Sequence, residues 1–222
     1  VLRAVRDDPE VRAAVLAGRG PSFCAGADLT EFGTAPSQAI ARQVRWERDV
    51  WGQLYGLNKP VIACLHGYCI GSGLEIALLC DLCVAAKSTW FAMPEVQLAM
   101  IPAAGGSQTL PRHARESQAL DVLLTGRRFD AGEALRIGLV HLVTAAEGLE
   151  AGVDHIVETL LANGPEAMAE TKKLIAAVAG RPRDDVLIAD TAARIARVRG
   201  SEGGRKGVAA FLDKRKPGWI KE

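Results

Sequence analysis

Two glutamates in this chain are spaced and flanked in a way that could let them work as a pair. Glu75 follows Ile70-Gly71-Ser72-Gly73-Leu74, and Glu95, twenty positions later, follows Phe91-Ala92-Met93-Pro94. Two carboxylates at the edge of one pocket can hold a water and exchange protons with a bound substrate. A further segment, Phe23-Cys24-Ala25-Gly26-Ala27-Asp28-Leu29, supplies a second small-residue turn beside the one at Gly71-Ser72-Gly73. Each turn can aim a backbone N–H at a common oxygen, and two such donors next to two carboxylates suit an enolate. The carbon beside a carbonyl is acidic only when charge on the oxygen is stabilised. Preorganised amides do this without reorganisation, and losing one donor typically costs about 3–4 kcal/mol. Ala27 and Ser72 are the candidate donors. Taken singly, each of these glycines also reads as an ordinary turn or cap, and Glu95 as a turn carboxylate after a proline.

Elements to position these groups can be read from the pattern. Residues 1–13 look like a helix end broken at Asp7-Asp8-Pro9, followed by a strand over 11–17, the turn Gly18-Arg19-Gly20-Pro21-Ser22 and a glycine-interrupted extended piece at 23–27. Ile40, Val44, Val50, Trp51, Leu54 and Tyr55 recur at helical spacing, which predicts one amphipathic helix over 40–57. The apolar run 60–65 has the size of a buried strand, and 82–86 and 90–92 read as two more. Residues 74–79 are apolar apart from Glu75, so the helix starting at Gly73 is expected to be buried on most sides. Burial disfavours the charged carboxylate and raises its pKa, which suits a group that takes and gives protons near neutrality. Gly105-Gly106-Ser107 opens another helix to about His113, and beyond 114 the pattern is helical at 117–124, 131–135, 149–161, 165–178, 184–198 and 202–214. An α/β core followed by a helix-rich C-terminal third is expected. Gly200-Ser201-Glu202-Gly203-Gly204 reads as a flexible joint.

With 222 residues, 49% hydrophobic and 24% charged, the chain can bury a full core. A formal net charge of +1 with interspersed signs gives no field suited to nucleic acid or to a membrane surface, so a small-molecule partner is expected. No apolar run reaches the roughly 20 residues needed to span a bilayer, and the first residues lack a signal-peptide core, so a cytoplasmic protein is expected. Cys64, Cys69, Cys80 and Cys83 stand in apolar stretches and suit buried reduced thiols; no metal site is expected at Cys80-Asp81-Leu82-Cys83, since no second ligand pair follows. His66, Ser72 and Asp81 supply the residue types of a serine hydrolase, but Ser72 does not sit in a G-x-S-x-G elbow.

In order and spacing, the Phe23–Leu29, Ile70–Glu75 and Phe91–Glu95 segments, together with Ile101-Pro102-Ala103-Ala104-Gly105-Gly106-Ser107-Gln108 and Phe211-Leu212-Asp213-Lys214-Arg215-Lys216, resemble the enoyl-CoA hydratase/isomerase (crotonase) family over essentially the whole chain. The resemblance implies an α/β fold: a spiral of ββα units over 1–145 carrying the acyl-CoA site, and a helical region over 146–222 for oligomerisation and CoA contact. It implies a homotrimer or a dimer of trimers. Family members usually have a further β-hairpin ahead of Val1, so either the sequence is an N-terminally shortened chain or the sheet lacks an edge strand, and lowered stability is expected unless a partner covers that edge.

By the same resemblance, Glu75 and Glu95 occupy the places of the family's catalytic glutamates, which add water across the C2–C3 double bond of a 2-enoyl-CoA. Glu95 would donate the proton at C2 and Glu75 would help activate the water. Ala27 and Ser72 would form the oxyanion hole; Ala25, Gly26, Asp28, Leu29, Gly71, Pro102 and Gly105 would line the substrate; Phe211 and Lys214 would meet CoA. Phe32, Trp46 and Trp51 are candidates for the acyl wall or equally for core aromatics. No cofactor is implied beyond the coenzyme A of the thioester. Two departures stand out: Ser72 replaces a frequent glycine but keeps its N–H, and Ala103 replaces a glycine. Other expectations left open are isomerase or related crotonase-type chemistry, or a non-catalytic CoA-binding, oligomer-forming role.

Overall fold

The computed structural model describes residues 1–220. Four strands form a parallel sheet in the order β1 (Ala14–Ala17), β2 (Val61–Leu65), β4 (Leu82–Ala86), β7 (Leu142–Thr144), with Ala14 opposite Val61, Ile62 opposite Leu82 and Val84 opposite Leu142. A second, smaller sheet runs β3 (Tyr68–Ile70), β5 (Trp90–Ala92), β6 (Phe129–Asp130), the last pair antiparallel. Cys24 extends it as a parallel bridge to Cys69. Each of the first three strands of the large sheet is thus followed by a short piece in the small sheet and then by helix. β1 leads through Cys24 to α2 (Gln38–Glu47) and α3 (Val50–Tyr55), and β2 through β3 to α4 (Ser72–Ala77). β4 leads through β5 to a 3-10 turn (Glu95–Leu98), α5 (Gly106–His113) and α6 (Glu116–Thr125). The short α1 (Leu2–Asp7) precedes β1, and α7 (Ala131–Arg136) joins β6 to β7.

The two faces of the large sheet show why β2 is apolar throughout. Val61, Ala63 and Leu65 belong to one core cluster with Leu74, Leu78 and Phe91, whereas Ile62 and Cys64 point the other way, to Leu149 and Val153 of α8 (Leu149–Ala162). Successive strand side chains face opposite sides, so a strand covered on both faces cannot alternate with polar residues. Fully burying an Ile or Leu of this kind contributes roughly 1.5–3 kcal/mol.

After α8, which packs on β2, β4 and β7, come α9 (Pro165–Val178), α10 (Asp185–Gly200) and α11 (Glu202–Leu212). Lys172 on α9 ties this layer to the core: its Nζ lies 2.6 Å from Asp81 Oδ2, which also accepts from Val61 N at 2.8 Å. The expected joint at 200–204 is a tight corner instead. Ser201 caps α11 by accepting from Gly204 N, and a Cβ at Gly204 would lie 2.1 Å from the Val198 carbonyl oxygen, so glycine serves close packing there. The single helix expected over 40–57 is two, because the Asp49 carboxylate accepts from Gly52 N and restarts the chain as α3. The strand expected over 11–17 is formed at Ala14–Ala17, and the last helix ends at Leu212.

Among the described residues no helix is long and apolar enough to cross a membrane, and no group of three or more His, Cys, Asp or Glu could hold a metal ion. Cys64, Cys69, Cys80 and Cys83 are buried, and burial pushes the Cys80 thiol up to about 12.

Candidate active site

Three chain segments meet at the N-terminus of α4. The 23–28 segment is held alongside β3 by Phe23 N to His66 O, Cys24 N to Tyr68 O and Ile70 N to Cys24 O, at 2.8–3.0 Å. Its approach to α4 is so close that a Cβ at Gly73 would lie 2.4 Å from the Cys24 carbonyl oxygen. That contact is with backbone and cannot yield, which accounts for a glycine inside the first turn of the helix. Gly71 caps α4 at φ +53°, a left-handed conformation that favours glycine, and its N–H is anchored to Ala92 O on β5. Ser72 is the first helical residue, so its N–H has no intrahelical acceptor. The Ala27 N–H makes no backbone hydrogen bond among the described residues. Gly26, at φ +116°, turns the chain just before it, against the Ile70 carbonyl.

Glu75 is one turn into α4 and only 2% exposed. Its Oε1 accepts from Ala104 N at 2.9 Å and from Gly106 N at 2.8 Å. Burial raises its pKa, and the two amides together with the Arg45 charge oppose that rise. The carboxylate is therefore a desolvated base with one oxygen fixed at the N-terminus of α5, where orphan amides and the helix dipole favour negative charge. Gly106 is glycine for a local reason: a Cβ there would lie 2.9 Å from Glu75 Cγ and 3.0 Å from Oε1.

Glu95 approaches from the 3-10 turn after β5. Its Oε1 rests over the helix cap, where a Cβ at Gly71 would come within 2.9 Å, and its Oε2 is buried without a hydrogen-bond partner among the described residues. Burial raises the pKa of Glu95, and the negative charge of Glu75 raises it further. The two carboxyl groups are thus close enough for the charge of Glu75 to act on Glu95. Leaving a buried carboxyl oxygen without a partner costs roughly 1–3 kcal/mol, which sets this oxygen apart from the satisfied Oε1 of Glu75.

The other residues predicted for the site divide. Ala25, Gly26, Gly71 and Gly105 stand in the turns just described, and Gly105 is the N-cap of α5. Pro102, three residues before Gly105, is buried and its carbonyl accepts from Ser107 Oγ. Asp28 spends its carboxylate capping the 3-10 turn Leu29–Glu31 through Thr30 N and Oγ1, and Leu29 is exposed. Phe211 lies in the last turn of α11, whose neighbours are α9 and α10, and Lys214 lies two residues beyond that helix; Phe211 is 83% exposed. Of the three aromatics, Trp46 and Trp51 line an open cavity of about 380 Å³, and Trp51 also packs on the core; Phe32 is exposed and takes no part in that lining. Neither glutamate lines the cavity, which meets the pair through the backbone of Ala104 and Gly105.

The serine-hydrolase set is not assembled. Asp81 serves Val61 N and Lys172, and His66 Nε2 pairs with the Gly20 carbonyl. What residue patterns alone did not reveal are the Ala104 and Gly106 amides on Glu75 and the role of Arg45, which binds Asp49 and the Ala103 carbonyl. The paired glycines at 105–106 ahead of a helix were the available sign of an anion-holding N-terminus.

A sequence profile described as Enoyl-CoA hydratase/isomerase matches residues 1–222. The chain is 33% identical over 226 residues to carnitinyl-CoA dehydratase of Proteus mirabilis, covering 99% of this chain and 85% of that protein. It is 32% identical over 222 residues to 2,3-dehydroadipyl-CoA hydratase of Escherichia coli, covering 97% and 84%. The crystal structure of an enoyl-CoA hydratase from Bacillus anthracis superposes with a TM-score of 0.89 at 33% identity, over 97% of this chain and 84% of that one. A match along the whole sequence, and a shared fold at this level of identity, leave one family assignment: the chain belongs to the enoyl-CoA hydratase/isomerase (crotonase) family.

Proposed function

We propose that the protein hydrates 2-enoyl-CoA thioesters to 3-hydroxyacyl-CoA, with Glu75 and Glu95 as the proton-transfer pair and the Ala27 and Ser72 amides as the oxyanion hole. The observation that carries this reading is the buried, partnerless Oε2 of Glu95 beside a Glu75 whose own Oε1 is already fixed by two amides. Such an arrangement has one carboxylate shaped to accept a proton and a neighbour shaped to keep one. Glu75, with amides favouring its anion, takes a proton from water as the oxygen bonds to C3. The C2–C3 π electrons move toward the thioester, and the oxygen charge falls on the two N–H groups. Glu95, whose ionisation is opposed by burial and by Glu75, gives its proton to C2. After product leaves, the proton gained by Glu75 returns to Glu95 through solvent, so that the net change is addition of one water.

The family's relatives are named for different acyl groups, which supports the thioester chemistry and leaves the acyl end to the pocket. We also propose a homotrimer: Ile175, Val186, Ile195, Val208, Phe211 and Leu212 leave apolar surface exposed on α9–α11, and light scattering on the purified protein tests the mass. The activity is tested by following the enoyl-thioester absorbance of crotonyl-CoA with the parent, Glu75→Gln and Glu95→Gln. Each variant is expected to lose about 10²–10⁴ in rate while still binding a saturated acyl-CoA. Full turnover by both variants would refute the assignment.

A further inference from the structure

The cavity next to Glu75 has a lining that a purely hydrocarbon acyl chain does not call for. It lies between α2, α3 and α5, and Arg42, Arg45 and Arg112 face it against the single carboxylate of Asp49. Arg45 is already engaged, with one nitrogen 2.9 Å from Asp49 Oδ1 and another 3.3 Å from the Ala103 carbonyl. Arg42 and Arg112 make no ion pair among the described residues, so two guanidinium groups stand unneutralised over a volume of about 380 Å³. Trp46, Trp51 and Tyr55 supply flat apolar walls in the same space. Aromatic faces suit methylene groups, and a guanidinium fork matches a carboxylate through two parallel hydrogen bonds.

We infer that this cavity is a subsite for the far end of the acyl group, and that the preferred substrate is a 2-enoyl-CoA whose chain ends in a carboxylate. The inference rests on the acyl-CoA reading of the neighbouring site. Its placement follows from shared backbone: Ala104 and Gly105 line the cavity, while the Ala104 and Gly106 amides hold Glu75. Leu79, one turn beyond Glu75, is a lining residue as well. At Gly105, φ +126°, no Cβ thickens the strip between the two spaces. The Arg45 charge acts on Glu75 across that strip, opposing the rise that burial imposes on its pKa. On this inference a chain with C1 held by the Ala27 and Ser72 amides and C3 by the glutamates runs past Glu75 toward the guanidinium groups.

The test is calorimetric binding of saturated thioesters, which need no turnover: adipoyl-CoA against hexanoyl-CoA, and suberoyl-CoA against octanoyl-CoA. The parent and an Arg42→Gln/Arg112→Gln variant are compared, with free CoA as a reference. The parent is expected to bind the diacid ester at least about tenfold more tightly at one of the two lengths, roughly the 1.4 kcal/mol of one added charge-assisted contact. In the variant that ratio falls to within about twofold, and free CoA binds as before. Equal affinities at both lengths, or a preference that survives in the variant, overturn the proposal. An equal loss for CoA, hexanoyl-CoA and adipoyl-CoA places the arginines on the CoA phosphates and overturns it too. A diacid preference in a protein that hydrates no enoyl ester would refute the hydratase reading alone, and no binding of any CoA ester would refute both.

Discussion

Gly106→Ala separates the positioning of Glu75 from its presence. Gly106 does not have a left-handed backbone, so alanine meets no conformational penalty there, and the effect is confined to the atoms a Cβ would touch. Those atoms are Met93 Cε at 2.4 Å, Glu75 Cγ at 2.9 Å and Glu75 Oε1 at 3.0 Å. The methionine terminus can swing away; Glu75 cannot do so without lengthening the bonds from Ala104 N and Gly106 N. Overpacking of this kind costs roughly 1–3 kcal/mol, which for a chain of this size lowers the Tm by about 2–12 °C. Displacing the carboxylate removes a proton-transfer group and is expected to lower kcat by about 10²–10⁴. The assay is crotonyl-CoA hydration with a parallel thermal melt, on Gly106→Ala alone and combined with Met93→Ala. The double variant relieves only the methionine contact, so its activity is expected to stay as low as that of the single variant. A Gly106→Ala enzyme that turns over within threefold of the parent would show that the Gly106 amide does not set the working position of Glu75.

Ser72→Ala keeps the backbone donor and is expected to change kcat only a few-fold, whereas Ser72→Pro removes it. Proline is tolerated at the first helical position, so the fold should survive while the rate falls roughly 10²–10³, and equal rates for the two variants would exclude the Ser72 amide as an oxyanion donor. Glu95→Gln tests the half-buried acid through stability. The Glu95 pKa is raised in the folded state, so its contribution is fully present below the unfolded value near 4.3 and is lost as pH rises through the folded pKa. The variant is therefore expected to gain in Tm relative to the parent as pH rises from the unfolded value through the folded pKa, and a difference that stays flat as pH is raised above the unfolded value would contradict a raised pKa.

Much of this protein was legible along the chain because it depends on local pattern. The apolar runs that became β2, β4 and β5, the helix at Pro165–Val178, and the glycine turns flanking Glu75 all signal themselves over a few neighbouring residues. The family likeness rested on those same short segments. The strands Tyr68–Ile70, Phe129–Asp130 and Leu142–Thr144 escaped notice because they exist through pairing with partners far along the chain. The break at Asp49 was hidden because apolar spacing continues across it, and only the carboxylate's bond to Gly52 N shows that the helix restarts. Tertiary structure alone decided what Glu75 touches: the Ala104 and Gly106 amides lie about thirty residues downstream, and a backbone N–H looks the same in every sequence. It alone decided that Arg42, Arg45 and Arg112, two of them on a helix that reads as amphipathic, line one cavity beside that carboxylate. Residue order shows which groups a chain possesses, but desolvation and the sharing of one charge between distant loops arise only when the segments are packed together.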